Sequence, residues 1–124
     1  MKIYFCRLCG NLVTMLDDSG VNPVCCGEDM ILLSPSSHDG IAEKHVPVIE
    51  VKDNNVVVKV GELPHPMNSE HYITWVMLVT SKGFHVINLA PPDTPVACFH
   101  LCEGEKPIEA YEYCNLHGLW YKKV

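Results

Sequence analysis

Short apolar stretches alternate with polar turns along the chain, and none of them has the period of an amphipathic helix. Their enrichment in β-branched and aromatic residues predicts strands. Residues 53–55 and 81–83 carry turn-forming side chains between two such stretches, which predicts two β-hairpins. One helical turn is predicted, around residues 66–70. The predicted strands are Ile3–Phe5, 12–15, 48–52, 56–60, Ile73–Thr80, 84–89, 96–101, 110–113 and 119–122.

A polar, serine-rich stretch at residues 33–40 divides the chain. The segment before it is too short for a self-sufficient apolar core, and segments of that length usually depend on a metal or a disulfide. The seven strands predicted after it are typical of a β-sandwich. We therefore predict a mostly β protein, with a small metal-binding module at residues 1–36 and a sandwich domain at residues 37–124.

Composition narrows the class of protein. The 124 residues are 48% hydrophobic, which supports a folded core. A formal net charge of −6 argues against nucleic acid as a partner, because nucleic acid requires a basic face. No apolar run reaches the roughly 18 residues of a membrane span, and the first residues lack the features of a signal peptide. We therefore expect no membrane partner and a cytoplasmic location.

The seven cysteines favour metal ligation or thiol chemistry over disulfides, because their number is odd and no secretion signal accompanies them. Cys6 and Cys9 form one pair, and Cys25 and Cys26 form a second pair after fifteen residues. A glycine follows each pair and allows the tight backbone of a metal knuckle. The pattern predicts a tetrathiolate site for zinc or a single iron. Adjacent cysteines on one extended backbone point apart, so ligation by both should distort the tetrahedron.

A second group of donors consists of four histidines and one cysteine. A lone histidine is more often a core or surface residue than a ligand, but prolines flank or closely follow two of these, and a Cys-x-x-His closes the set. Five donors exceed the four of a structural zinc site and would leave one octahedral position for a small molecule. The candidate donors are His45, His65, His71, Cys114 and His117.

Taken in order, these motifs resemble the superoxide reductase family, specifically its two-iron form, desulfoferrodoxin. The tetracysteine pattern matches its desulforedoxin-type centre, and Glu-Lys-His-Val-Pro at 43–47 matches its Glu-Lys-His-x-Pro motif. Further matches are His-Pro at 65–66, His-Tyr-Ile at 71–73 and Cys-Asn-Leu-His-Gly-Leu-Trp at 114–120. The resemblance covers nearly the whole chain.

The resemblance implies iron at both sites, with Cys6, Cys9, Cys25 and Cys26 at one and four equatorial histidines with an axial cysteine at the other. It implies a rubredoxin-like module followed by an immunoglobulin-like sandwich, and a homodimer. The implied reaction is the one-electron reduction of superoxide to hydrogen peroxide, without release of oxygen. The implied electron donor is a small rubredoxin-like protein.

Two residues next to His45 are candidates for catalysis. Lys44 is expected to attract superoxide and to order water that delivers protons. The resemblance implies that the Glu43 carboxylate occupies the sixth position of the oxidised iron and leaves before substrate binds.

Two other classes of function stay open. One is a non-catalytic iron electron carrier or redox-sensing module, and the other is a zinc-stabilised binding domain. Cys98, His100 and Cys102 alternate along a predicted strand, and we expect buried apolar cysteines there rather than a third metal site.

Overall fold

The computed structural model describes residues 1–38 and 44–124, and these residues contain strands and turns but no helix. This confirms the predicted mostly β class. The chain divides into two compact units, Met1–Ser34 and Pro35–Val124.

The first unit is built from very short strands around the cysteines. Its three-stranded sheet has the order β2-β1-β5, and β3 pairs with β4 as a separate hairpin. Tyr4, Cys6 and Met30 are its buried core, so one of the cysteines is itself a core residue. A core this small depends on an added constraint. The strands are β1 (Ile3–Phe5), β2 (Leu12–Thr14), β3 (Val24–Cys25), β4 (Glu28–Asp29) and β5 (Ile31–Leu32).

The second unit is a sandwich of two antiparallel sheets with the orders β10-β7-β6 and β12-β11-β8-β9. Its core takes Val56, Val58 and Phe99 from one sheet and Val76 and Leu78 from the other. Alternation along each strand directs these side chains inward. The strands are β6 (Pro47–Lys52), β7 (Asn55–Val60), β8 (Ile73–Thr80), β9 (Gly83–Asn88), β10 (Val96–His100), β11 (Pro107–Cys114) and β12 (Gly118–Lys123).

The helical turn predicted around residues 66–70 is wrong, because this segment forms bends. The Asn68 side chain supplies the reason. Its Oδ1 accepts the backbone N–H groups of Glu70 at 3.1 Å and of His71 at 2.9 Å. Such a local side-chain bond competes with helical hydrogen bonding.

The expectation that Cys98, on β10, and Cys102, just after it, are buried is also wrong, since both are exposed. Ala97 and Phe99 occupy the inward positions of this strand. The period-two alternation therefore directs the side chain of Cys98 to solvent.

A polar cluster at the turn between β10 and β11 centres on the carboxylate of Glu105. Thr80 Oγ1 donates to Glu105 Oε1 at 2.5 Å, and His85 Nε2 lies 2.9 Å from the same oxygen. The backbone N–H of Cys102 donates to the other oxygen at 3.2 Å. These partners, Thr80 foremost, hold the pKa of Glu105 at about 2, below its ordinary value of 4.5.

We predict that Glu105→Gln destabilises the protein at neutral pH and that this effect fades in acid. A carboxylate with a depressed pKa stabilises the fold above pH 4.5, and its contribution is lost as the pH falls towards 2. Denaturant unfolding of both proteins, side by side across this range, measures the difference between their midpoints. A difference that stays constant with pH, or that is absent at neutral pH, would contradict the assignment.

Candidate metal centres

Four cysteine sulfurs converge in the first unit. The Sγ atoms of Cys6, Cys9, Cys25 and Cys26 all lie within 4.8 Å of one another. Cys25 Sγ is 3.6 Å from Cys9 Sγ and 3.9 Å from Cys26 Sγ. Four sulfurs bound at about 2.3 Å around a tetrahedral ion lie about 3.8 Å apart. The spacing therefore fits a tetrathiolate metal site.

The backbone of this site turns through left-handed conformations. Gly10 and Gly27, which follow the two cysteine pairs, have φ values of 82° and 77°, which confirms the predicted knuckle glycines. Cys26 also has a positive φ of 53°. The extended backbone expected for the adjacent pair is therefore absent. The turn at Cys26 brings its sulfur close to that of Cys25.

Neighbouring hydrogen bonds spread the pKa values of these thiols. The backbone N–H groups of Cys9, foremost, and Leu8 lower the pKa of Cys6 to about 6. Hydrogen bonds with Cys9 and then Cys6 raise the pKa of Cys26 to about 12. The sulfur of Cys6 thus becomes a thiolate readily, whereas the sulfur of Cys26 resists the loss of its proton. A bound cation removes this conflict, because it holds every ligand as a thiolate.

Four imidazole rings form a closed square in the second unit. The ring centroids of neighbours are 4.7 Å apart for His45 and His65, and 4.6 Å for His65 and His71. The other two sides, from His117 to His71 and to His45, measure 5.1 Å and 5.0 Å. The diagonal between His45 and His71 is 6.5 Å. The structure therefore brings together all four histidines that the sequence analysis selected.

One interatomic distance in the square matches a metal site closely. The Nε2 atoms of His45 and His65 are 3.1 Å apart. Two nitrogens held at right angles by bonds of about 2.1 Å lie about 3 Å apart. Both rings are only 4% exposed.

Cys114 places a sulfur on the core side of the square. Its side chain is fully buried, and its Sγ lies 3.8 Å from His117 Nδ1. The same Sγ lies within 4.8 Å of the ligand nitrogens of His45, His65 and His71. His117 is exposed. The five donors therefore have a buried, sulfur side and a side nearer the solvent.

The donors come from the ends of strands and from loops, where backbone geometry can vary. His45 precedes β6, His71 precedes β8, Cys114 ends β11, and His117 precedes β12. Strand pairing fixes the spacing of these ends, since β11 pairs with both β8 and β12. The four-stranded sheet therefore holds the segments of His71 and His117 on either side of the segment of Cys114.

Neighbouring groups fix the orientation of individual rings. His65 Nδ1 lies 2.8 Å from the carbonyl oxygen of Pro66, so an N–H at Nδ1 leaves the Nε2 lone pair for a metal. The Trp120 indole stacks on His45 with a centroid distance of 4.5 Å and an angle of 12°. Trp120 Nε1 also donates to the carbonyl oxygen of His117 at 3.1 Å.

Asn115 is a supporting residue that the sequence analysis missed. Its Oδ1 accepts the N–H of Tyr72 at 2.9 Å, and its Nδ2 donates to the carbonyl oxygen of Glu70 at 2.9 Å. Its own N–H donates to the carbonyl oxygen of Tyr72 at 3.1 Å. These bonds hold the segment around His71 against the Cys114 loop. The only signal in the sequence was its position between two ligands.

Glu112 was also missed, although it is a fully buried carboxylate. It lies two residues before Cys114 on the same face of β11, and the strand register places it opposite Trp120. The alternation of β11 could have revealed it.

The two candidates for catalysis are Lys44 and Glu43. Lys44 is half-buried and directly precedes His45. Glu43 lies outside the described residues.

The two clusters suit different chemistry. The tetrathiolate suits zinc or iron in tetrahedral geometry, whereas a square of imidazoles over one thiolate suits a metal that accepts more than four ligands. The fold and these clusters define an all-β protein with two metal-binding units.

Comparison with known proteins agrees with this class. The family model "Desulfoferrodoxin, N-terminal domain" matches residues 1–33, and "Desulfoferrodoxin" matches residues 37–123. The chain belongs to the desulfoferrodoxin family.

Individual relatives match along nearly the whole chain. A desulfoferrodoxin of Syntrophotalea carbinolica is 45% identical over 120 residues, covering 97% of this chain and 94% of the relative. A superoxide reductase from Treponema pallidum has a similar structure, with a TM-score of 0.85, 36% identity and coverage of 98% of this chain and 97% of that one. A one-iron superoxide reductase from Giardia intestinalis has a TM-score of 0.56 and 35% identity, covering 66% of this chain and 99% of that one.

The part of the chain that the structure describes contains no helix long and apolar enough to cross a membrane.

We predict that Cys25→Ser removes the metal of the first unit and leaves the second site loaded. A hydroxyl is a much poorer ligand than a thiolate, and the small core of this unit depends on its metal. Metal quantification and amide hydrogen exchange should show one ion per chain and lost protection within Met1–Ser34. Cys98→Ser, at an exposed cysteine outside both clusters, is the matched control and should retain two ions. Retention of both ions by Cys25→Ser would contradict the assignment.

Proposed function

We propose that this chain is a superoxide reductase, in which each superoxide takes up one electron and two protons to become hydrogen peroxide. The observation that carries the proposal is the square of four imidazoles with a buried sulfur on one side. The superoxide reductases of Treponema pallidum and Giardia intestinalis, which share this fold, support it.

The proposed ligands form two iron sites. Cys6, Cys9, Cys25 and Cys26 would hold one iron in the module at residues 1–36, and five donors would hold the other in the domain at residues 37–124. Iron at the second site would supply the electron for superoxide. The five donors would be the imidazoles of His45, His65, His71 and His117 and the thiolate of Cys114.

The donor set leaves the site attractive to an anion. Neutral imidazoles add no charge, and the Cys114 thiolate adds a single negative charge. A divalent cation among them therefore retains a net charge of about +1, which attracts superoxide over short distances. Full burial of Cys114 keeps water from the sulfur, and electrostatic interactions at the site are stronger where water is excluded.

Lys44 is proposed as the second attractive charge. Its position next to His45 in the sequence would put an ammonium near the square although the chain as a whole is acidic. It would draw superoxide in and order the water that delivers protons to the reduced product. The Glu43 carboxylate is proposed as a further ligand of oxidised iron, which would have to leave before superoxide binds.

The first unit favours a second function, electron transfer, because Cys9 and Cys26 are exposed. Exposed ligand sulfurs suit exchange of electrons with a partner at the surface. In a pure electron carrier or redox sensor, however, the histidine site would have only a structural role. A zinc-stabilised binding domain is the second alternative, and it would have no visible absorption.

The remaining proposals concern the cellular setting. A rubredoxin-like protein would supply the electron, the protein would remove superoxide in the cytoplasm under oxidative stress, and the chain would form a homodimer. Sedimentation of the purified protein as a monomer would contradict the dimer. Failure of a reduced rubredoxin to re-reduce the oxidised protein would contradict the donor.

The stoichiometry of the products tests the proposed reaction. The reduced, iron-loaded protein is mixed rapidly with less than one equivalent of superoxide, and peroxide and dioxygen are both measured. We expect one peroxide for each superoxide and no dioxygen. A dismutase would release dioxygen and give half as much peroxide. A pure electron carrier would not accelerate the loss of superoxide above the rate of free iron.

We predict that Lys44→Ala lowers the second-order rate constant with superoxide by about ten-fold at low salt, because a local attraction is lost. The dependence of the rate on ionic strength should weaken as well. Lys52→Ala, which removes an equal charge from the exposed end of β6, is the control and should leave both unchanged. A Lys44→Ala protein with the rate and salt dependence of the wild type would refute the steering role.

A further inference from the structure

Gly61 lies in unusually close contact with the segment that carries Lys44. A Cβ atom built at Gly61 would clash with the carbonyl oxygen of Lys44 and would stand 2.9 Å from its Cβ. It would also stand 2.8 Å from the carbonyl oxygen of Leu63. Real Cβ atoms do not approach other heavy atoms this closely, so any side chain at residue 61 must displace one of these groups.

The backbone conformation adds to this requirement. Gly61 has a φ of +80°, in the left-handed region that favours glycine. Two of the three close atoms belong to the backbone, so rotation of a side chain cannot relieve the contact.

The part of the structure before Gly61 is firmly held. Val60 is 1% exposed in the core, and its N–H donates to the carbonyl oxygen of Pro95 at 2.9 Å. It is also paired with Pro47, where the ladder between β6 and β7 ends. Lys44 lies beyond the end of that ladder. A displacement caused by a side chain at residue 61 should therefore fall on Lys44 or on the turn that follows Gly61, rather than on Val60.

We propose that Gly61 is a positioning residue for Lys44. The hydrogen in place of a side chain lets the Lys44 backbone lie against the turn after β7, and this contact sets where the ammonium stands beside the histidine square. The inference rests on the proposed role of Lys44 and extends it to a residue that touches neither metal nor substrate.

Gly61→Ala should lower the rate constant with superoxide by about three-fold, less than the loss expected for Lys44→Ala, because the ammonium is displaced rather than removed. The rate should also lose part of its dependence on ionic strength. Gly104→Ala is the matched control, because Gly104 has a φ of +83° but its added Cβ would meet nothing within 4 Å. It suffers the same backbone strain without the contact, and its rate should equal that of the wild type.

The double variant Lys44→Ala/Gly61→Ala separates positioning from general damage. If Gly61 acts through Lys44, the double variant should be no slower than Lys44→Ala alone. Iron content and the visible spectrum of Gly61→Ala should match the wild type. Additive losses, or a changed spectrum that indicates a shifted His45 or His65, would overturn the proposal.

Different results would refute the role of Lys44 and its positioning by Gly61. An unchanged rate in Lys44→Ala would remove the role of the ammonium itself. A slowed Lys44→Ala together with an unaffected Gly61→Ala would refute only the positioning by Gly61. If Gly61→Ala does not fold, the same substitution on the Lys44→Gly background tests the contact, because Lys44→Gly removes the Cβ and frees the backbone to turn its carbonyl away. Recovery of the folded protein there would support the contact, whereas failure to fold would place the clash at the Leu63 carbonyl and overturn the proposal.

Discussion

The convergence of four imidazoles and one buried thiolate at a single point is the constraint on which the second unit depends. Three of these donors, His45, His65 and Cys114, lie inside the protein, where polar groups are costly unless they are paired. A shared cation pairs all of them at once, so the free energy of metal binding becomes part of the stability of the fold. The apolar sandwich makes this possible by fixing the ends of β8, β11 and β12 before a metal binds.

The two units differ in how the metal site and the apolar core support each other. In the first, the metal site replaces a core, because Cys6 is buried among only a few apolar residues. In the second, an apolar core supports the site, and Cys114 lies fully buried beside it. The exposure of the ligand sulfurs agrees with the function proposed for each unit. Exposed Cys9 and Cys26 suit exchange of electrons at a surface, whereas a shielded sulfur suits control of the reactivity of a metal that binds a small anion.

Strands and ligands were predictable because they rest on local signals. The alternation of Ile73–Thr80 and the turn chemistry at residues 53–55 follow from neighbouring residues, and the ligands follow from donor type and spacing. The two-residue strands β3, β4 and β5 are too short to carry a period. The bends at Asn68, the clamp of Asn115 and the contact of Gly61 with Lys44 depend on atoms that approach through the fold. No property of the isolated residues predicts those contacts.

X-ray absorption at the iron edge of the second site tests the central claim most directly, with the first site removed by substitution of its cysteines. The account predicts a shell of four nitrogens and one sulfur in the reduced protein, and loss of the sulfur contribution in Cys114→Ser. A first shell of oxygens and nitrogens without sulfur, or a spectrum unchanged by Cys114→Ser, would contradict it.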